Sequence, residues 1–86
     1  AIHATSSDNR IEGNNCTGAD RGIDVDGVGN IIIKNTCSGN TTNWTIVIGN
    51  SVGPIVVAGT NAVAIAGNGP EASTLGSTDP NANFSY

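Results

Sequence analysis

Two consecutive stretches decide the fold of this chain: AIHATSSDNRIEGNNCTGADR (residues 1–21) and GIDVDGVGNIIIKNTCSGNTT (residues 22–42). Placing the second stretch directly under the first brings six identical residues into register. These identities are Ile2/Ile23, Asn9/Asn30, Ile11/Ile32, Asn14/Asn35, Cys16/Cys37 and Gly18/Gly39. A fixed period between about 20 and 50 residues is typical of repeat proteins, whose units stack on one another.

Each block contains short runs in which apolar and polar residues alternate. Ile23 and Val25 would face one side of a strand, whereas Asp24 and Asp26 would face the other. A block of about 21 residues cannot bury its own apolar side, so it must lie on its neighbour at the strand spacing of about 4.8 Å. The repeat therefore predicts an all-β solenoid in which identical residues form columns.

The composition agrees with strands and excludes several classes of protein. Asn, Gly, Thr and Ser make up 40 of the 86 residues, and Ile and Val together number 17 against one Leu. Helix formers are too scarce for a helical bundle. Three basic residues and a net charge of -4 argue against a nucleic-acid or anionic-membrane partner. No apolar run approaches the roughly 20 residues of a membrane span.

The period continues beyond the first two blocks with less regularity. We divide residues 1–68 into three coils and part of a fourth. The expected coils are 1–21, 22–42, 43–61 and a partial 62–68, in which Ala62–Ile65 forms a strand. Residues 69–86 break the pattern with two prolines and widely spaced bulky residues. We expect this tail to cap the array, because the terminal units of repeat proteins are atypical.

The third coil can be aligned by its aliphatic residues if two residues are inserted around Asn43 and Trp44. The expected correspondences are Ile46 with Ile23, Ile48 with Val25 and Ile55 with Ile32. The columns would then be Ile2/Ile23/Ile46 and Ile11/Ile32/Ile55, beside amide columns Asn9/Asn30 and Asn14/Asn35. An inward asparagine at a turn can bond its own backbone and the amide in the next coil, which fixes the corner.

The pattern GI-x-V … N-x-I-x-x-N-x-C-x-G resembles the repeats of right-handed parallel β-helix proteins, the pectate-lyase-like superfamily. The ending STDPNANFSY is similar to the C-termini of secreted bacterial members of that group. The resemblance covers residues 1 to about 68. It implies a right-handed parallel β-helix of about 3.5 coils and an extracellular or cell-surface location. It implies little about activity, because this fold hosts many functions.

Cys16 and Cys37 occupy equivalent positions in adjacent coils. Strand spacing would place their Cα atoms about 4.8 Å apart, within the roughly 4.4–6.8 Å range of a disulfide. A disulfide and a ladder of free buried thiols are both consistent with this position. A metal site at the two thiols is disfavoured, because no histidine lies nearby to complete a four-ligand set.

Asp24 and Asp26 share an outward face, and the stacking would place His3 over Asp24. Paired carboxylates on such a face can bind calcium or serve as acid and base. Trp44, in the inserted turn, could add a platform for a sugar ring, although packing against the corner is the simpler interpretation. His3, Asp24, Asp26 and Trp44 therefore form a candidate carbohydrate- or calcium-binding face, although a solvated strand face is the simpler interpretation. The motifs of polygalacturonases and pectate lyases are absent, so we name no catalytic residues and expect no cofactor other than calcium.

The same alternation leaves an apolar patch facing outward. If Ile32 points inward, Ile31 and Ile33 point outward, together with Val56 from the next coil. We expect the tail residues Phe84 and Tyr86, or a partner chain, to cover this patch.

The first coil presents strand edges that invite further strands. We expect upstream coils of a longer protein, or self-association, at that end.

Three functions follow from these features. The first is a structural role, as a segment that caps, spaces or assembles an extracellular protein or filament. The second is the C-terminal part of a polysaccharide lyase or glycoside hydrolase. The third is a carbohydrate- or calcium-binding module. About three and a half coils leave little room for a groove that would hold a polymer, and we therefore expect the structural role.

Overall fold

A computed structural model describes residues 1–86 and contains ten short β-strands and no helix. The strands are β1 (Ile2–Ala4), β2 (Arg10–Glu12), β3 (Asn15–Thr17), β4 (Arg21–Val25), β5 (Ile31–Ile33), β6 (Thr36–Ser38), β7 (Thr42–Ile46), β8 (Ser51–Val52), β9 (Ile55–Val57) and β10 (Asn83–Ser85). The chain forms no helix long and apolar enough to cross a bilayer.

The strands form three parallel sheets. The first sheet has the order β1-β4-β7, the second β2-β5-β8 and the third β3-β6-β10-β9. Every strand pairing is parallel. The chain is therefore an all-β protein, and its architecture is compatible with a parallel β-solenoid. We call β1, β2 and β3 layer 1, β4, β5 and β6 layer 2, and β7, β8 and β10 layer 3.

The sequence repeat sets the pairing of layers 1 and 2. Ile2 pairs with Ile23, Ile11 with Ile32 and Cys16 with Cys37, so all three sheets follow the offset of the repeat. The inward residues of these strands form one core. Its buried members are Ile11, Cys16, Ile23, Val25, Ile32 and Cys37, and Ile2, Ala4, Trp44 and Ile46 pack against them. Burying one such aliphatic side chain contributes about 1.5–3 kcal/mol.

Layer 3 corrects the expected alignment of the third coil. The same offset continues into β7, where Trp44 pairs with Ile23 and Ile46 with Val25. No insertion precedes Trp44. The turn after β7 is instead one residue shorter, so that Val52, and not Gly53, pairs with Ile32. The expected columns were wrong because the aliphatic match overlooked Trp44 as an inward residue.

The partial fourth coil does not form. Ala62–Ile65 contains no strand, and Val63 and Ile65 are 72% and 57% exposed. The chain leaves the sheets after β9 and forms no further strand until β10. Four alternating residues are too few to specify a strand when no neighbouring edge pairs with them. We call residues 58–82 the connection.

The C-terminal tail returns to the sheets as a strand. β10 lies between β6 and β9, where Phe84 is paired with Thr36 on one side and with Val56 on the other. The backbone amides of Phe84 and Tyr86 donate to Asn35 and Cys37, and that of Asn83 donates to Pro54. β10 thus supplies the layer-3 strand of the third sheet and separates β9 from β6.

Candidate functional site

The first sheet brings together His3, Asp24 and Asp26. Strand β1 lies beside β4 with His3 opposite Asp24, and Asp26 follows two residues later on the same face. His3 Nε2 lies 2.6 Å from Asp26 Oδ2 and 3.7 Å from Asp24 Oδ2. We call these three residues the His3–Asp24–Asp26 cluster.

The three side chains differ in exposure. The side chains of His3 and Asp26 are 56% and 48% exposed, but that of Asp24 is only 9% exposed. Arg21 extends over Asp24 and donates from a guanidinium nitrogen to Oδ2 at 3.0 Å. The other oxygen, Oδ1, is buried and has no hydrogen-bond partner. Burying a charged oxygen without a donor is costly, so Asp24 is the unusual member of the cluster.

Hydrogen bonding shifts the pKa values of His3 and Asp26, the two exposed members, in opposite directions. The contact with Asp26 raises the pKa of His3, and the same contact lowers the pKa of Asp26. An opposite charge within hydrogen-bonding distance favours the ionised form of both groups. The contact therefore favours a protonated His3 imidazole beside a deprotonated Asp26 carboxylate.

Trp44 does not join this cluster. Its neighbour Thr45 pairs with Asp24 on the outward face, whereas Trp44 pairs with the buried Ile23 and packs against the core. The indole Nε1 donates to Ser85 Oγ at 2.7 Å. The inward position of Trp44 makes it a link between β7 and β10, not a platform for a ligand beside Asp24.

The asparagine columns clamp adjacent layers at the corners. Asn30 Oδ1 accepts from the backbone amide of Asn9, and Asn30 Nδ2 donates to the carbonyl of Ser6. Asn35 makes the equivalent bonds to Asn14 N and Ile11 O. Each side chain thus joins two backbone groups of the layer before it. A buried amide held on both sides fixes the path of the chain at the turn.

Three further clamps escaped the sequence analysis. Asn40 bonds Ala19 N and Cys16 O, Asn50 bonds Asn30 N and Gly27 O, and Asn83 bonds Asn35 N and Ile32 O. The regular spacing of Asn30, Asn35 and Asn40 is the signal that could have identified the third corner. No period in the sequence points to Asn83, because it follows the connection.

The two cysteines lie in register and are free thiols in the structure. Both are buried, and burial raises the pKa of the Cys37 thiol to about 11. A thiol in such surroundings stays protonated and reacts slowly. The pair therefore behaves as part of the core.

The tail residues Phe84 and Tyr86 do not lie over Ile31 and Ile33, where they were expected. Ile31 and Ile33 belong to the second sheet, whereas Phe84 and Tyr86 lie along the third, where the hydroxyl of Tyr86 donates to Asn15 Oδ1. Only Val56 of the predicted patch pairs with Phe84. The expectation for Phe84 and Tyr86 was wrong because β10 enters the sheet as a strand and does not lie across its outer surface; cover by a partner chain stays a prediction. The outward patch is also smaller than expected, because Ile33 is only 9% exposed whereas Ile31 remains 39% exposed.

Comparison with protein-family models, with curated proteins and with solved structures gives no significant match to this chain.

Proposed function

We propose that this chain is a structural segment of an extracellular right-handed parallel β-helix of the pectate-lyase-like type. Its role is to stack on further coils of the same kind, and it is not catalytic in itself. The proposal is supported by the parallel sheets, the constant register of the first two layers and the repeated corner asparagines.

One observation carries the proposal. In layers 2 and 3 the Oδ1 atoms of the corner asparagines accept backbone amides from the layer before. Asn9 and Asn14 occupy the same corners in layer 1, yet their Oδ1 atoms accept no hydrogen bond, and β1, β2 and β3 are edge strands. Layer 1 therefore has free Oδ1 acceptors at two corners. Another coil with the same spacing would supply the backbone amides that donate to them.

The test is to add one coil. A second copy of residues 1–21 is fused before Ala1, and the unfolding midpoint is measured. Unfolding should occur at higher temperature, because each new hydrogen bond contributes about 0.5–1.5 kcal/mol and a new aliphatic layer is buried. The matched control carries the same extra coil together with Asn9→Ser and Asn14→Ser in the original layer 1. Its unfolding midpoint should rise by less than that of the chain with the extra coil alone.

Association between separate chains is measured by light scattering and electron microscopy. Self-association through layer 1 should weaken in Thr17→Lys, because a lysine on edge strand β3 opposes strand addition. Thr60→Lys, in the exposed connection, should leave it unchanged. An added coil that lowers the unfolding midpoint, in a chain that also stays monomeric at every concentration, would contradict the proposal.

A second candidate is the C-terminal part of a polysaccharide lyase or hydrolase, or a module that binds carbohydrate or calcium. The His3–Asp24–Asp26 cluster favours it, since paired carboxylates can bind a cation or move a proton. One donor atom from each of the three residues lies within 4.8 Å of the other two. Depolymerisation of uronate polymers with and without calcium tests this alternative.

A further inference from the structure

We propose that the His3–Asp24–Asp26 cluster binds a divalent transition-metal ion, of which Zn²⁺ is the best fit. This site goes beyond the structural role, because it would join layer 1 to layer 2 through a metal ion. It uses side chains that neither the core nor the corner clamps require.

The geometry follows from the strand register. His3 and Asp24 are opposite each other on β1 and β4, and Asp26 lies on the same face as Asp24. One donor atom from each residue lies within 4.8 Å of the other two. Metal–ligand distances of about 2.0–2.2 Å place the donors around a zinc ion on the order of 3–4 Å apart. The His3–Asp24 separation of 3.7 Å already meets this requirement.

The contact between His3 and Asp26 must open slightly when the ion enters. These two groups are 2.6 Å apart and share a hydrogen bond. Both side chains are about half exposed, so each can rotate without disturbing the core. The ion would take the place of the shared proton and leave open positions for water.

Asp24 gives an independent reason to expect a ligand here. Its side chain is 9% exposed and its Oδ1 has no hydrogen-bond partner. The other oxygen, Oδ2, lies 3.7 Å from His3 Nε2 and 3.0 Å from the Arg21 guanidinium. A buried carboxylate oxygen without a donor is commonly explained by a bound ion or water.

The type of donor selects the ion. Calcium takes about six to eight oxygen ligands, and this cluster offers one imidazole nitrogen and two carboxylates. Imidazole suits zinc, copper, iron and nickel, and zinc accepts three protein ligands with water as the fourth. The cluster therefore fits a transition metal better than the calcium ion expected from the carboxylates alone.

Arg21 opposes metal binding. Its guanidinium is 3.0 Å from Asp24 Oδ2 and places a positive charge beside the site. A like charge at this distance lowers the affinity for a cation. The Arg21 side chain is 59% exposed and can move aside. Removing its charge should therefore tighten the site, an effect that a merely structural cluster would not show.

The experiment titrates the whole chain with ZnCl₂ and follows the imidazole resonances by NMR. His3 is the only histidine, so any shifted imidazole signal belongs to this site. His3→Gln and Asp26→Asn should each weaken binding, measured by calorimetry, about tenfold or more. Arg21→Gln should strengthen it. Circular dichroism checks that each variant is folded, as expected for exposed positions.

The matched control is Glu12→Gln. Glu12 lies in another charged group on the second sheet, where it contacts Arg10 and Lys34 without a histidine. Its loss should leave zinc affinity unchanged. The proposal fails if equimolar zinc does not shift the His3 resonances. It also fails if His3→Gln binds zinc as tightly as the native chain, because the ion would then lie elsewhere, for example at the thiols.

Discussion

The stacked layers and the connection are made from similar residues, yet the side-chain hydrogen bonds of the connection join residues only two positions apart. In the layers, each corner asparagine bonds two backbone groups of the layer before it. In the connection, Asn61 bonds only Val63, two residues away. The long-range backbone bonds of the connection lie towards its ends, from Ala58 to Ser85, from Gly59 to Thr74 and from Lys34 to Asn81. Asn and Gly alone therefore do not create a layer. These residues must recur at positions where they can form hydrogen bonds with a neighbouring layer.

The largest test of this difference exchanges one asparagine in each region for alanine. Asn35→Ala leaves the buried Ile11 carbonyl and the amide of Asn14 without partners, and should lower the free energy of unfolding by about 3 kcal/mol. Asn61→Ala, in the connection, should change it by less than about 0.5 kcal/mol. Urea denaturation measures both. Equal losses would show that the clamps do not hold the layers together.

A second test compares two glycines. A Cβ atom at Gly53 would collide with the carbonyl of Asn81, where the tail returns to the sheet. Gly53→Ala should therefore cost about 1–3 kcal/mol, since the backbone must shift. Gly69→Ala, with nothing within 4 Å of the added carbon, should be neutral or slightly stabilising. If Gly53→Ala were also neutral, the tail would not be held against this turn.

A third test removes one hydroxyl from β10. Ser85→Ala deprives the indole of Trp44 of its acceptor and should cost about 1 kcal/mol. Ser73→Ala, in the exposed connection, also removes an acceptor, that of the Leu75 amide, and should cost less because water replaces it. Thermal unfolding of both variants gives the difference. A loss from Ser85→Ala no larger than that from Ser73→Ala would mean that the Trp44 bond does not hold β10 in place.

The last test concerns the Cys37 thiol, whose effect on stability changes with pH only under alkaline conditions. Its pKa is raised from about 9 to about 11 by burial, so the folded chain holds this proton more tightly than the unfolded chain. The contribution to stability is fully present below pH 9 and is lost as the pH rises towards about 11. Stability should therefore decline across this window, and alkylation at mildly alkaline pH should be slow until the chain unfolds. Rapid alkylation of the folded chain would contradict the assigned burial.

The candidate site was predictable in part. Alternation placed Asp24 and Asp26 on one face, and the offset between the first two blocks placed His3 beside them. The burial of Asp24 was not predictable, because an outward residue of a strand is ordinarily exposed, and here Arg21 extends over it. The position of Trp44 was predicted wrongly, because an alignment that matches aliphatic residues does not pair an aromatic residue with Ile23.

The 21-residue offset between the first two blocks is sufficient to predict the pairing of layers 1 and 2. A repeat of constant length places equivalent strands side by side after each full turn of the chain. Identical residues at equivalent positions then stack on one another. The same offset also predicts the two corner columns that contain Asn9 and Asn14.

The completion of the third layer depends on tertiary contacts that the repeat does not encode. β7 and β8 follow β4 and β5, but the strand beside β6 is β10, which follows the long connection. No period spans that separation. Three features place β10 beside β6. The edge of β6 is free, Asn83 Oδ1 accepts the backbone amide of Asn35, and Gly53 has no side chain to block the returning tail. These are properties of surfaces that exist only after the first two layers have formed.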